Sequence, residues 1–112
     1  MPIVFPEILF QNFININLIM TIYNSDSAKE KLASLKDWKF INNTIEKHFT
    51  FKNFQEAIGF MVRVGFICES KNHHPEWTNV YNKLLIKLST HDAGGVTDKD
   101  FELAREIEKI KL

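Results

Sequence analysis

The sequence predicts an α+β domain of order α-β-β-α-β-β-α, a four-stranded, mainly antiparallel sheet with helices packed on one face. Three observations carry this. Apolar spacing alternates between the helical period and the strand period along residues 24–112. Turn signals fall between pairs of alternating stretches, so the strands join as hairpins. The length, 112 residues, is that of one domain able to bury a core, with surface left that oligomerisation could cover.

The elements follow in order. Ser27 to Glu30 reads as a capping box, with Ala28, Leu32 and Leu35 at helical spacing behind it and an end near Asp37. Trp38 and Phe40 alternate with polar neighbours, Asn42-Asn43 offers a turn, and Ile45, Phe49 and Phe51 resume the alternation. Asn53, with Glu56 three residues on, caps a second helix. Its expected inward stripe is Phe54, Ala57, Ile58, Met61, Gly65 and Cys68, and its middle is apolar almost all round, as in a central buried helix. It must end near His73, because Pro75 disfavours the helical conformation at His74. "WTNVYN" and "KLLIKLST" read as two strands, with Leu84, Ile86 and Leu88 toward the core. After the "DAGG" loop, Thr97 to Asp100 opens a last helix carrying Phe101, Ala104 and Ile107.

Residues 1–22 form an atypical apolar extension, and residues 23–112 form the domain. The extension holds one charged residue, Glu7, and no Lys or Arg precedes Lys29, unlike a secretory signal or a mitochondrial presequence. Pro6, Glu7, Gln11, Asn12, Asn15 and Asn17 interrupt it too often for a membrane span. It reads as a packing extension, a membrane-surface segment or an upstream translation; Met20, just before the well-patterned sequence, favours the last. Elsewhere the composition is that of a globular protein, and a formal net charge of zero gives no basic field for nucleic acid. The lone Cys68 excludes an internal disulfide and a Cys-rich zinc site, and reads as a buried thiol in a reducing compartment.

The chemistry concentrates in "ESKNHHPEW". Adjacent residues do not share a helix face, so the rings of His73 and His74 should diverge and flank a volume. Helical His ligand pairs are spaced three or four apart, which disfavours chelation by both and a metal site here. Imidazoles suit acid–base work at neutral pH. His91, where the last strand runs into the Gly94-Gly95 loop, is a third candidate, and the three rings would converge if the end of the second helix lies near that strand end. Bland roles compete: a His pair can cap helix carbonyls, Glu69 can be a solvated helix residue, Asp100 has its capping-box place, Trp77 and Tyr81 can be core aromatics, and His48 reads as an exposed strand residue. On pattern alone, function stays open.

Over roughly residues 25–110 the chain resembles the pterin-4a-carbinolamine dehydratase family, whose animal members are also called dimerisation cofactor of a hepatocyte nuclear factor. The resemblance rests on "DWKF", "FTFKNFQEAIGFM" and "ESKNHHPEWTNVYNKLLIKLSTHDAGGVTDKD". Glu69, His73, His74, Pro75, Trp77, Tyr81, Asn82, Thr90, His91 and Asp100 fill the family pattern. Leu85 departs from the animal members, which carry a polar histidine there, and should lie outside the site.

The resemblance implies dehydration of 4a-hydroxytetrahydrobiopterin to the quinonoid dihydropterin by a hydro-lyase, recycling tetrahydrobiopterin for aromatic amino acid hydroxylases. By similarity His73 and His91 are the main acid–base groups, and His74 positions substrate or shares proton transfer. Pro75, Trp77, Thr90, Asp92 and Ala93 would bind the pterin, and Glu69 and Asp100 would orient histidines. The pterin is the substrate, with no cofactor and no metal implied. A cytoplasmic homodimer or homotetramer, without nucleic acid or a membrane span, is expected. The rival is a non-enzymatic oligomerisation module of the transcription-coactivator kind.

Overall fold

The computed structural model describes residues 21–112. The expectations for the N-terminal extension before Thr21, including Met20 as a start, lie outside the described residues. The described chain runs α1 (Ser25–Leu32), β1 (Lys39–Ile41), β2 (Thr44–Thr50), α2 (Phe54–Ser70), β3 (Glu76–Val80), β4 (Lys83–Leu88), a short 3₁₀ turn (His91–Ala93) and α3 (Asp98–Glu108). This is the expected α-β-β-α-β-β-α order. All neighbouring strands are antiparallel, in the spatial order β1-β2-β4-β3.

Local chemistry explains the boundaries. α1 is capped by Asn24, not Ser27: the Asn24 side chain accepts from the Ser27 N–H, and Ser27 returns the bond to the Asn24 N–H. Ser27 is thus the reciprocal third residue of the box. The helix stops at Leu32, earlier than expected, and a turn follows in which Asp37 takes φ 69° while Leu35 still reaches the core. Asn42 and Asn43 both take positive φ, 48° and 61°, the two-residue turn whose twist suits a hairpin. Asn53 caps α2 through the Glu56 N–H, and Thr97 with Asp100 forms the capping box of α3.

The core lies between the sheet and the helices. Ile45 of β2 and Leu84, Ile86 and Leu88 of β4 are buried in one cluster with Val64 and Cys68 of α2 and Phe101, Leu103, Ala104 and Ile107 of α3. The expected inward stripe of α2 needs correction. Its buried residues are Ala57, Phe60, Val64 and Cys68, whereas Phe54, Ile58, Val62 and Phe66 form an exposed apolar row. A helix apolar on both faces carries two competing stripes, and only the partner layer decides which one is buried. α2 is therefore half covered. The opposite face of the sheet is polar, with Glu46, Lys87 and Glu76 abreast across three strands. Among the described residues no helix is long and apolar enough to cross a membrane.

Candidate functional site

The end of α2 aims the two histidines. Asn72 takes left-handed φ 51° just past the helix; its N–H donates to the Glu69 carbonyl at 3.1 Å, and the His73 N–H donates to the Cys68 carbonyl at 3.0 Å. These two bonds form a Schellman motif, which Asn tolerates because its short side chain lowers the left-handed penalty. The chain is thus reversed at Asn72, before Pro75 carries it extended into β3. The signal for Asn72 in the sequence is an Asn directly after the helical pattern.

His73 faces the helical layer. Its Nε2 lies 2.5 Å from Oδ1 of Asp100, on the first turn of α3, and only 13% of the His73 side chain is exposed. Asp100 is fully buried. Its Oδ2 accepts from the Thr90 hydroxyl at 2.9 Å and from the Thr97 N–H at 2.9 Å, and the two threonine hydroxyls meet at 2.7 Å. Asp100 thus serves both of the roles weighed for it: it closes the capping box with one oxygen and holds an imidazole with the other. Thr97 is a member of this network that motif reading passed over, since its hydroxyl also fits the plain role of a helix cap.

His74 diverges as expected. Its Nε2 lies 2.7 Å from Oε1 of Glu69, across one turn of chain, with both side chains largely open to water (59% and 78%). That pair is screened and contributes little to stability, whereas the His73–Asp100 pair is shielded. His74 and His91 line one hollow of about 190 Å³ with Thr44, Pro75, Glu76, Lys87 and Ser89. His73 lines a separate hollow of about 230 Å³ with Lys71, Lys99 and Glu102. The expected meeting of three rings is therefore resolved into two rings around one hollow and a third turned toward the helical layer.

The wall beyond β4 is a closed loop. The Thr90 N–H donates to the Gly95 carbonyl at 2.8 Å, and the Ala93 and Gly94 N–H groups return to the Thr90 carbonyl. Gly94 takes φ 78°, the conformation that the tight return needs. His91 and Asp92 are exposed on this loop, Ala93 is half-buried, and the buried hydroxyl of Thr90 is spent on the Asp100 network. Trp77 packs from β3 against the core cluster. Tyr81 is exposed in the β3–β4 turn, and His48 is exposed in β2. Leu85 sits in mid-strand opposite His48 and Thr78. Burial pushes the Cys68 thiol up to about 11, which fits an inert core thiol. Among the described residues no cluster of three or more His, Cys, Asp and Glu side chains is arranged to hold a metal ion.

Paired imidazoles and carboxylates at one end of an α+β sheet, next to a small polar hollow, define a site suited to proton transfer on a compact substrate. The family model for pterin 4 alpha carbinolamine dehydratase matches residues 21–110. A Prochlorococcus marinus (strain MIT 9515) protein named "Putative pterin-4-alpha-carbinolamine dehydratase" is 46% identical over 89 residues, covering 80% of this chain and 93% of its own. One of the same name from Opitutus terrae is 50% identical over 91 residues, covering 80% and 94%. The crystal structure of a "transcriptional coactivator/pterin dehydratase" from Brucella melitensis superposes with TM-score 0.74 at 34% identity, covering 79% of this chain and 96% of that one. The chain belongs to the pterin-4a-carbinolamine dehydratase family.

Proposed function

We propose that this protein dehydrates 4a-hydroxytetrahydrobiopterin to the quinonoid dihydropterin by histidine acid–base catalysis, with the pterin as substrate and no cofactor. The supporting observation is the group of three imidazoles at one end of the sheet, two of them around one hollow and the third paired with a buried carboxylate. The reaction moves two protons. An acid protonates the C4a hydroxyl, which leaves as water, and a base takes the N5 proton as the N5 electrons form the C4a=N5 bond. His73 and His91 are the proton-transfer groups in this reading, and His74 positions the substrate or shares a transfer. Pro75 and the 90–93 loop frame the ring, and Lys87 and Glu76 add polar groups at its rim. The test is the decay of chemically generated carbinolamine with and without the protein; an unchanged decay rate removes the reading.

The reaction would serve tetrahydrobiopterin recycling beside an aromatic amino acid hydroxylase in the cytoplasm, where the single buried Cys68 thiol stays reduced. A homodimer or homotetramer fits the exposed row Phe54, Ile58, Val62 and Phe66, too apolar a patch to leave in water. That same row supports the second reading, a protein-interaction module that keeps the fold without the chemistry. Retained His73, His74 and His91 favour the enzyme, because a structural tie between α2 and α3 needs His73 alone and leaves His74 and His91 around their hollow unexplained.

A further inference from the structure

The structure assigns the working nitrogen of His73: Thr90 and Thr97 make Asp100 a pure acceptor, so His73 carries its proton on Nε2 and works through Nδ1. The inference rests on the dehydratase reading for the reaction, but its structural half stands on hydrogen-bond counting alone. Each threonine hydroxyl has one hydrogen. Thr90 Oγ1 lies 2.9 Å from Asp100 Oδ2, and a carboxylate oxygen can only accept there, so the Thr90 hydrogen is spent on Asp100. The contact of 2.7 Å between the two hydroxyls must then be filled by the Thr97 hydrogen. Thr97 also supplies its backbone N–H to Asp100 Oδ2 at 2.9 Å. With Asp100 in the carboxylate form, Oδ2 takes two donors in a buried setting, and Oδ1 at 2.5 Å from His73 Nε2 needs a donor too. Nε2 is that donor.

Nδ1 is then the nitrogen with a free lone pair whenever the ring is neutral. In the dehydration it takes the N5 proton while the N5–H electrons close the C4a=N5 bond, and the positive charge gained by the ring faces the Asp100 carboxylate. His73 is thus the base. The acid that protonates the leaving hydroxyl is His91 in this reading; because His73 and His91 line separate hollows, the reacting C4a–N5 edge has to lie between the two. Thr90 and Thr97 are positioning residues, since they act only through Asp100.

The sharpest variant is Asp100→Asn. The position of Oδ2 receives two donors, so the amide oxygen must take it and the amide nitrogen must face His73. The capping bond survives, and the imidazole is forced into the opposite tautomer, with its proton on Nδ1. The experiment is ¹⁵N NMR of the histidine rings at a pH where His73 is neutral, in wild type and in Asp100→Asn, beside the dehydration rate of both. The expected result is a protonated Nε2 in wild type, a protonated Nδ1 in the variant, and a rate fall of about 10²- to 10⁴-fold. A wild-type ring protonated on Nδ1 would overturn the proposal without any variant. A variant that switches tautomer at full rate would overturn the role of Nδ1. Wild-type protein without any dehydratase activity would overturn the reaction itself and the role of Nδ1 with it, while the tautomer result would still decide the structural half.

Discussion

His73 and Asp100 stand 27 positions apart in sequence, yet Nε2 and Oδ1 lie 2.5 Å apart, the carboxylate fully buried and the imidazole nearly so. The contact ties the end of α2 to the start of α3, so that both helix boundaries serve the site. The adjacent pair, His74 with Glu69, has similar geometry but is open to water. Of the two carboxylates, Asp100 is therefore the one whose loss should be felt.

The backbone turn that delivers His73 depends on Asn72. A β-branched residue is strained at φ 51°, so Asn72→Val should lower unfolding free energy by about 1–2 kcal/mol, while Asn72→Gly should cost little. Urea denaturation of the three proteins checks this; equal stability of Val and Gly variants would remove the Schellman turn as a constraint.

Tyr23 gives a pH dependence with a definite sign. Its hydroxyl donates to Asp98 Oδ1 at 2.7 Å, and that bond first, then burial, pushes its pKa from the ordinary value near 10 up to about 12. The raised group favours the protonated phenol, so its contribution is fully present below pH 10 and is lost as pH rises toward 12. Wild type should lose its stability advantage over Tyr23→Phe across that interval. Phenolate absorbance should show one tyrosine titrating near 12, and a titration complete by pH 11 would contradict the bond.

Cys68 should behave as a core thiol. Burial raises its pKa to about 11, so at neutral pH it stays a protonated, enclosed thiol. A thiol reagent should label it only at the rate of global unfolding, and rapid stoichiometric labelling of the native protein would place it elsewhere.

The exposed row on α2 should be covered in solution by a second copy. Phe66, 74% exposed, stands in that row, and a charge there should be costly in a closed apolar interface. Phe66→Asp should shift sedimentation toward monomer while far-ultraviolet circular dichroism stays unchanged. A wild-type protein that sediments as a monomer at all concentrations would sink the homo-oligomer.

Much of this molecule can be read from the chain. Element order, the Asn42-Asn43 turn, the Asn53 cap and the Leu84, Ile86 and Leu88 core face follow from local patterns, because each depends on neighbours a few positions away. The buried face of α2 does not, since Phe54/Ile58 and Phe60/Val64 are equally good stripes until a sheet selects one. The divergence of His73 and His74 was legible from adjacency, and the family resemblance named Glu69 and Asp100 as their orienting partners, but not which histidine each would hold. Glu69 and Asp100 stand 5 and 27 residues away, and no local rule says which carboxylate ends up dry. Thr97 was hidden for another reason: its capping role fully explains it in sequence.

The most direct measurement compares wild type, His73→Ala and His91→Ala in the decay of freshly generated 4a-hydroxytetrahydropterin, each confirmed folded by circular dichroism. Wild type should accelerate the decay, and each variant should lose about 10²- to 10⁴-fold of that acceleration. Full acceleration by both variants would contradict histidine acid–base catalysis at this site.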